Sequence, residues 1–175
     1  SSSNKSSSST DGGVDNGNVQ SPLASLDIQC SAVDDSSAIA AKSEIVDGER
    51  LTLSLVDSYF SGSNFATSSA EIVSYDTCSD RLYVVNSQAA SIDVLALDQN
   101  SRELSKAGNI DLSLAAAAAG IEIGAANSVS AKQGLVAVAI EAKVKQNLGL
   151  IALYRSDDLS LLGTYTAGAL PDMVA

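Results

Sequence analysis

The chain has 175 residues, a formal net charge of −11 from 10 Lys and Arg against 21 Asp and Glu, and no histidine. So acidic a surface argues against nucleic acid or anionic lipid as a partner and fits a solvated exterior. Without His there is no imidazole general base, no Ser-His-Asp arrangement and no His-based metal site, which weighs against catalysis within these residues.

Residues 1–22 are dominated by Ser, Gly, Asn and Asp and have little to bury, so they are expected to form a disordered linker. The opening run of Ser with Asn4 and Lys5 looks like the spacer that follows the lipidated Cys of an exported bacterial lipoprotein. That likeness implies a lipid anchor as the membrane attachment, because no apolar run approaches the roughly 20 residues that span a bilayer. Residues 23–50 are mixed and weakly periodic, a poorly defined segment in which 37–46 fits a strand and a helical turn equally well. Cys30 and Cys78 form one disulfide in an oxidising compartment or stay as two thiols in a reducing one, and two Cys are too few for a four-ligand structural zinc site.

From Leu51 onward the pattern sharpens into short strands. Residues 71–76, 81–86, 91–97 and a segment near 104–112 read as four strands, and 127–132, 134–142, 149–154 and 161–167 repeat them. A third copy begins at residues 171–175. Four short strands per unit at this period predict an all-β fold, an incomplete β-propeller of about two four-stranded antiparallel blades. Residues 55–62 match 161–168 at a constant offset of 106, so 51–60 is expected to be an N-terminal outer strand that completes a last blade lying beyond Ala175. On this reading residues 51–175 are the N-terminal part of a propeller domain truncated at blade three, and the missing C-terminal blades are its first partner.

Glu71 and Asn127 open equivalent innermost strands 56 residues apart, whereas Asn127 and Asp172 lie 45 apart. The excess of 11 equals the length of the Ala-rich segment 114–124, which reads as an insertion containing a helical turn held against the blade face. Leu135 to Ile140 is apolar at every position, as expected of a strand buried between two sheets rather than half exposed.

Residues 81–86 followed by 91–95 resemble the YVTN type of bacterial surface propeller repeat. The combination of residues 70–76, 126–129, 134–143 and 168–174 is similar to the opening of the bacterial choice-of-anchor I proteins. That resemblance, over residues 51–175, implies an exported seven-bladed propeller, and some of its members are labelled alkaline-phosphatase-like. It also implies an extracytoplasmic location, in the periplasm, on an outer-membrane lipoprotein or at the cell surface.

Propeller geometry brings the starts of the innermost strands and the ends of the second strands to one face. Glu71, Asn86, Asn127, Glu141 and Asp172 are therefore the candidate ligand-binding residues, with Glu71, Glu141 and Asp172 the candidate ligands of Ca²⁺ or Mg²⁺. The plainer alternative is that such residues cap loop amides and order turns. No catalytic residue is assigned. The leading expectation is a non-catalytic, envelope-tethered scaffold that binds a small-molecule or protein partner on its channel face. The alternatives are a metal-dependent extracytoplasmic phosphoesterase and a structural surface protein that self-associates through its strand edges.

Overall fold

The computed structural model describes residues 55, 57–59 and 70–175, without the side chains of Ala70 and Glu71. The expected linker 1–22, the segment 23–50 and most of the expected strand 51–60 lie outside the described residues; Leu55 and residues 57–59 have no ladder partner.

The described chain is nearly all β. β1 (Ala70–Asp76), β2 (Arg81–Asn86), β3 (Ser91–Leu97) and β4 (Leu104–Asp111) form one antiparallel sheet in the order β1-β2-β3-β4. After helix α1 (Ser113–Ala119), the strands β5 (Ile123–Lys132), β6 (Leu135–Ala142), β7 (Leu148–Arg155) and β8 (Leu161–Ala169) form a second sheet in the order β5-β6-β7-β8. Each sheet is a simple meander, the strand order of a propeller blade.

Local chemistry sets the turns. Gln133 and Gly134 take φ of 50° and 83° between the paired residues Lys132 and Leu135, the two-residue type I′ link whose twist matches an antiparallel pair. Asp80, Ala90 and Leu159 hold the left-handed position near the ends of the longer turns.

One apolar core lies between the sheets. Tyr83, Val85, Ile92 and Val94 of the first meet Val136, Val138, Ile140, Leu150, Ala152 and Tyr154 of the second. Val136, Val138 and Ile140 are fully buried on one face of β6, and Ala139 on the other face is buried as well. The insertion is a seven-residue helix whose Ala115 is fully buried in that same core and which packs beside β8. Gly120, at φ 67°, ends it by donating its N–H to the Ala117 carbonyl.

Candidate functional site

Antiparallel order places the start of β1, the end of β2, the start of β5 and the end of β6 at the same end of their sheets. Ala70 pairs with Asn86, and Ile123 with Ala142. At this end both innermost strands depart from regular pairing. The register of β1 slips between Ala70 and Val73, and that of β5 slips between Ile123 and Ala126 and again between Ala126 and Ser128. Such bulges leave a residue unpaired and re-aim its side chain. Glu71 falls in the first irregularity and Asn127 in the last.

Asn127 projects from its bulge between two acceptors. Its Nδ2 donates to the Pro171 carbonyl at 3.1 Å and to Glu141 Oε2 at 3.4 Å. Glu141, next to the last residue of β6, lies opposite the irregularity at Gly124, where an added Cβ would lie 3.0 Å from Glu141 Cγ and Oε1. Glycine at 124 thus makes room for the carboxylate. The Glu141 side chain is only 12% exposed, and Lys145 Nζ stands 3.9 Å from its Oε1. Beside it Lys143 pairs with Glu122 at 3.4 Å. The Val174 N–H donates to Ser128 Oγ at 3.3 Å, so residues 171–174 run along the middle of β5, which begins at Ile123 rather than at Asn127. Asp172 stands exposed in that run.

Asn86 belongs to a different group. Its Oδ1 accepts the Ala89 N–H at 3.2 Å and orders the β2–β3 turn, while its Nδ2 donates to Asp93 Oδ2 at 3.4 Å. Asp93 is nearly buried, and it also accepts from Asn109 Nδ2 at 3.0 Å and faces Lys106 Nζ at 3.6 Å. Sequence reasoning passed over Asp93; its one signal was a carboxylate set inside the apolar strand Ser91–Leu97. Asp76 was passed over as well: it is buried at the opposite end of β1 and accepts from Ser79 Oγ at 2.9 Å.

The structure therefore joins Asn127, Glu141 and the residues flanking Asp172. It places Glu71 at the equivalent bulge of the other sheet and engages Asn86 in its own turn. Among the described residues no three His, Cys, Asp or Glu side chains approach closely enough to share a metal ion. No described helix is long and apolar enough to cross a membrane. Cys78, in the β1–β2 turn, is disulfide-bonded; Cys30 is the chain's only other cysteine.

At the far end of the second sheet the Arg155 guanidinium hydrogen-bonds Asp157 and pushes its carboxyl down to about 2. That pair orders an exposed turn away from the bulges.

A family model described as the choice-of-anchor I domain matches residues 71–175, more than half of the chain. Comparison with curated proteins and with solved structures finds no match.

Proposed function

Because the chain belongs to the choice-of-anchor I domain family, we propose that it is an envelope-tethered β-propeller scaffold that binds a small-molecule or protein ligand, without catalysis, at the bulged end of its sheets. Family membership marks a cell-surface, anchor-related domain of an extracytoplasmic protein. The disulfide at Cys78 agrees with an oxidising compartment. The observation that carries the binding reading is the pairing of Asn127 with Glu141. A bulge aims a half-buried amide at a largely buried carboxylate, Gly124 leaves space for it, and lysines stand at the border. Amide, carboxylate and ammonium groups in one place supply donors and acceptors of both kinds, which suits a polar ligand held by hydrogen bonds.

The test uses full-length protein and its Asn127→Ala/Glu141→Gln double variant. Both are screened by thermal shift against envelope glycans, short peptides and divalent cations. A ligand that raises the melting temperature of the parent and not of the folded double variant supports the reading; equal shifts in both overturn it. Turnover of p-nitrophenyl phosphate that is lost in Glu141→Gln would overturn its non-catalytic part.

A further inference from the structure

The two ends of the paired sheets differ in what holds them. The bulged end carries Asn127 and Glu141, and β1 begins there at Ala70. The opposite end carries the β1–β2, β5–β6 and β7–β8 turns. These three lie together, because the Ser156 N–H donates to the Gly134 carbonyl at 2.9 Å and the Arg81 guanidinium donates to the Ser156 carbonyl.

Cys78 sits in the first of these turns, which is fixed from several sides. Asp76, buried at the end of β1, accepts the Cys78 N–H at 3.3 Å and Ser79 Oγ at 2.9 Å. Asp80 Oδ1 accepts from Tyr75 Oη at 2.6 Å and from Gln99 Nε2 at 3.0 Å, and the Leu97 N–H donates to the Asp80 carbonyl at 3.0 Å. So ordered a turn is a firm anchorage for whatever is bonded to it. Cys78 is disulfide-bonded, and Cys30 is the only other cysteine in the sequence. A disulfide holds its two Cα atoms within about 7 Å.

A second tie reaches the same end, where the Leu104 N–H at the start of β4 donates to Asp57 Oδ2 at 2.7 Å. Alone it would not decide where the preceding chain lies. The stretch from Cys30 to Asp57 could span roughly 90 Å when extended, against about 20–35 Å for a strand of these sheets. A bridge at Cys78 removes that freedom.

We infer that Cys78 is bridged to Cys30, and that the bridge fastens the N-terminal stretch to the turn end of the sheets, so that the Asn127–Glu141 end points away from the surface to which the N-terminus is attached. Only the last step rests on the tethered reading above. Residues close to Cys30 in sequence are thereby kept near the turns, and a ligand reaches the bulged end from the side opposite the tether. A bridge of this kind needs an oxidising compartment.

Three measurements on full-length protein produced in an oxidising compartment test it. Peptide mapping without reductant should return one cross-linked pair, Cys30 with Cys78, from monomeric protein. Two alkylated thiols, or a bridge between two copies, overturn the pairing. With an acceptor dye at Ser25 and a donor at Lys132 or Val144, energy transfer should be stronger from Lys132, and the difference should be lost in the Cys30→Ser/Cys78→Ser variant. Equal transfer in the parent, or a difference that survives in the variant, overturns the fastening. The comparison within the parent stands even where the variant fails to fold. Protein coupled to beads by its N-terminus should present a dye at Val144 to an anti-dye antibody more readily than one at Lys132; equal or reversed access overturns the orientation. The beads impose the attachment, so that result is separate from the tethered reading, which fails instead if the native protein is found free of the envelope.

Discussion

The hydroxyl of Ser74 on β1 accepts the backbone N–H of Ala131 on β5 at 2.9 Å, tying the innermost strand of one sheet to that of the other. A similar contact lies one unit later, two residues nearer the strand start, where Ser128 on β5 accepts the N–H of Val174 at 3.3 Å. The two donor–acceptor pairs are 57 and 46 residues apart in sequence, and the difference of 11 is the length of the insertion that holds α1. Serine at these positions gives an innermost strand an acceptor toward its neighbour, where a ladder partner is absent. Ser74→Ala leaves the Ala131 N–H, on a buried residue, without its partner, at a cost of about 1–3 kcal/mol. Urea unfolding monitored by circular dichroism should show the loss as a lower midpoint with an unchanged slope; an unaltered midpoint would mean the contact contributes nothing.

Gly149 on β7 is a point of close approach. A Cβ there would stand 2.6 Å from the Ile140 carbonyl oxygen and 2.6 Å from Pro171 Cδ. The first is backbone and cannot yield without distorting the β6–β7 ladder. The second would drag Pro171 away from the Asn127 amide. Gly149→Ala is expected to destabilise by about 1–3 kcal/mol and to weaken any ligand binding that depends on Asn127. Gly168→Ala is the control: nothing lies within 4 Å of its added Cβ, and it should stay within about 0.5 kcal/mol of the parent. Equal midpoints for the two variants would refute the packing argument.

Much of this fold was legible because periodicity reports burial directly. The apolar run of β6 pointed to a strand buried between two sheets; Val136, Val138 and Ile140 are buried in the core, while Leu135 and Ala137 on the other face are half-buried. The irregular spacing of the repeats pointed to the insertion that holds α1. The bulges were not legible, since a slip in register comes from how two strands meet and leaves little mark on either. Gly124 was the only hint. The fate of Asn86 was hidden for a related reason: its partner Asp93 sits on the neighbouring strand, and nothing in the sequence aligns the two. Tyr83 and Tyr154 are core residues, whereas Tyr75 and Tyr165 are 39% and 43% exposed.

The helix offers a packing test. Ala115 is fully buried in the core, whereas Ala117 and Ala118 face solvent. Ala115→Leu adds three carbons to a filled space and should cost about 1–3 kcal/mol. Ala118→Leu should be nearly neutral, since both residues favour helix. Thermal melts of the two variants separate the cases, and a neutral Ala115→Leu would show that the helix is loosely packed against the core.

Tyr154 buries its ring in the core with only 1% of its surface exposed, and its hydroxyl has no hydrogen-bond partner among the described residues. A buried hydroxyl without a partner is a liability, so Tyr154→Phe should leave stability at neutral pH unchanged or slightly higher. Tyr83 differs, because its hydroxyl lies 3.4 Å from the Ser156 carbonyl and 3.4 Å from Ser79 Oγ; Tyr83→Phe should cost about 1 kcal/mol. Alkaline pH separates them further. Burial, with a smaller contribution from the Asp111 carboxylate, pushes Tyr154 up to about 12 from an ordinary 10.0. The neutral phenol is thus favoured in the folded state, while the unfolded chain ionises near 10. Stability is fully present below pH 10 and falls as pH rises toward 12, by on the order of 2 kcal/mol from this residue. Urea midpoints of parent and Tyr154→Phe between pH 9 and 11.5 should converge at the low end and diverge at the high end, the variant falling less. Parallel curves would show that the phenol reaches water or a partner, and the packing of β7 against the first sheet would then have to be redrawn.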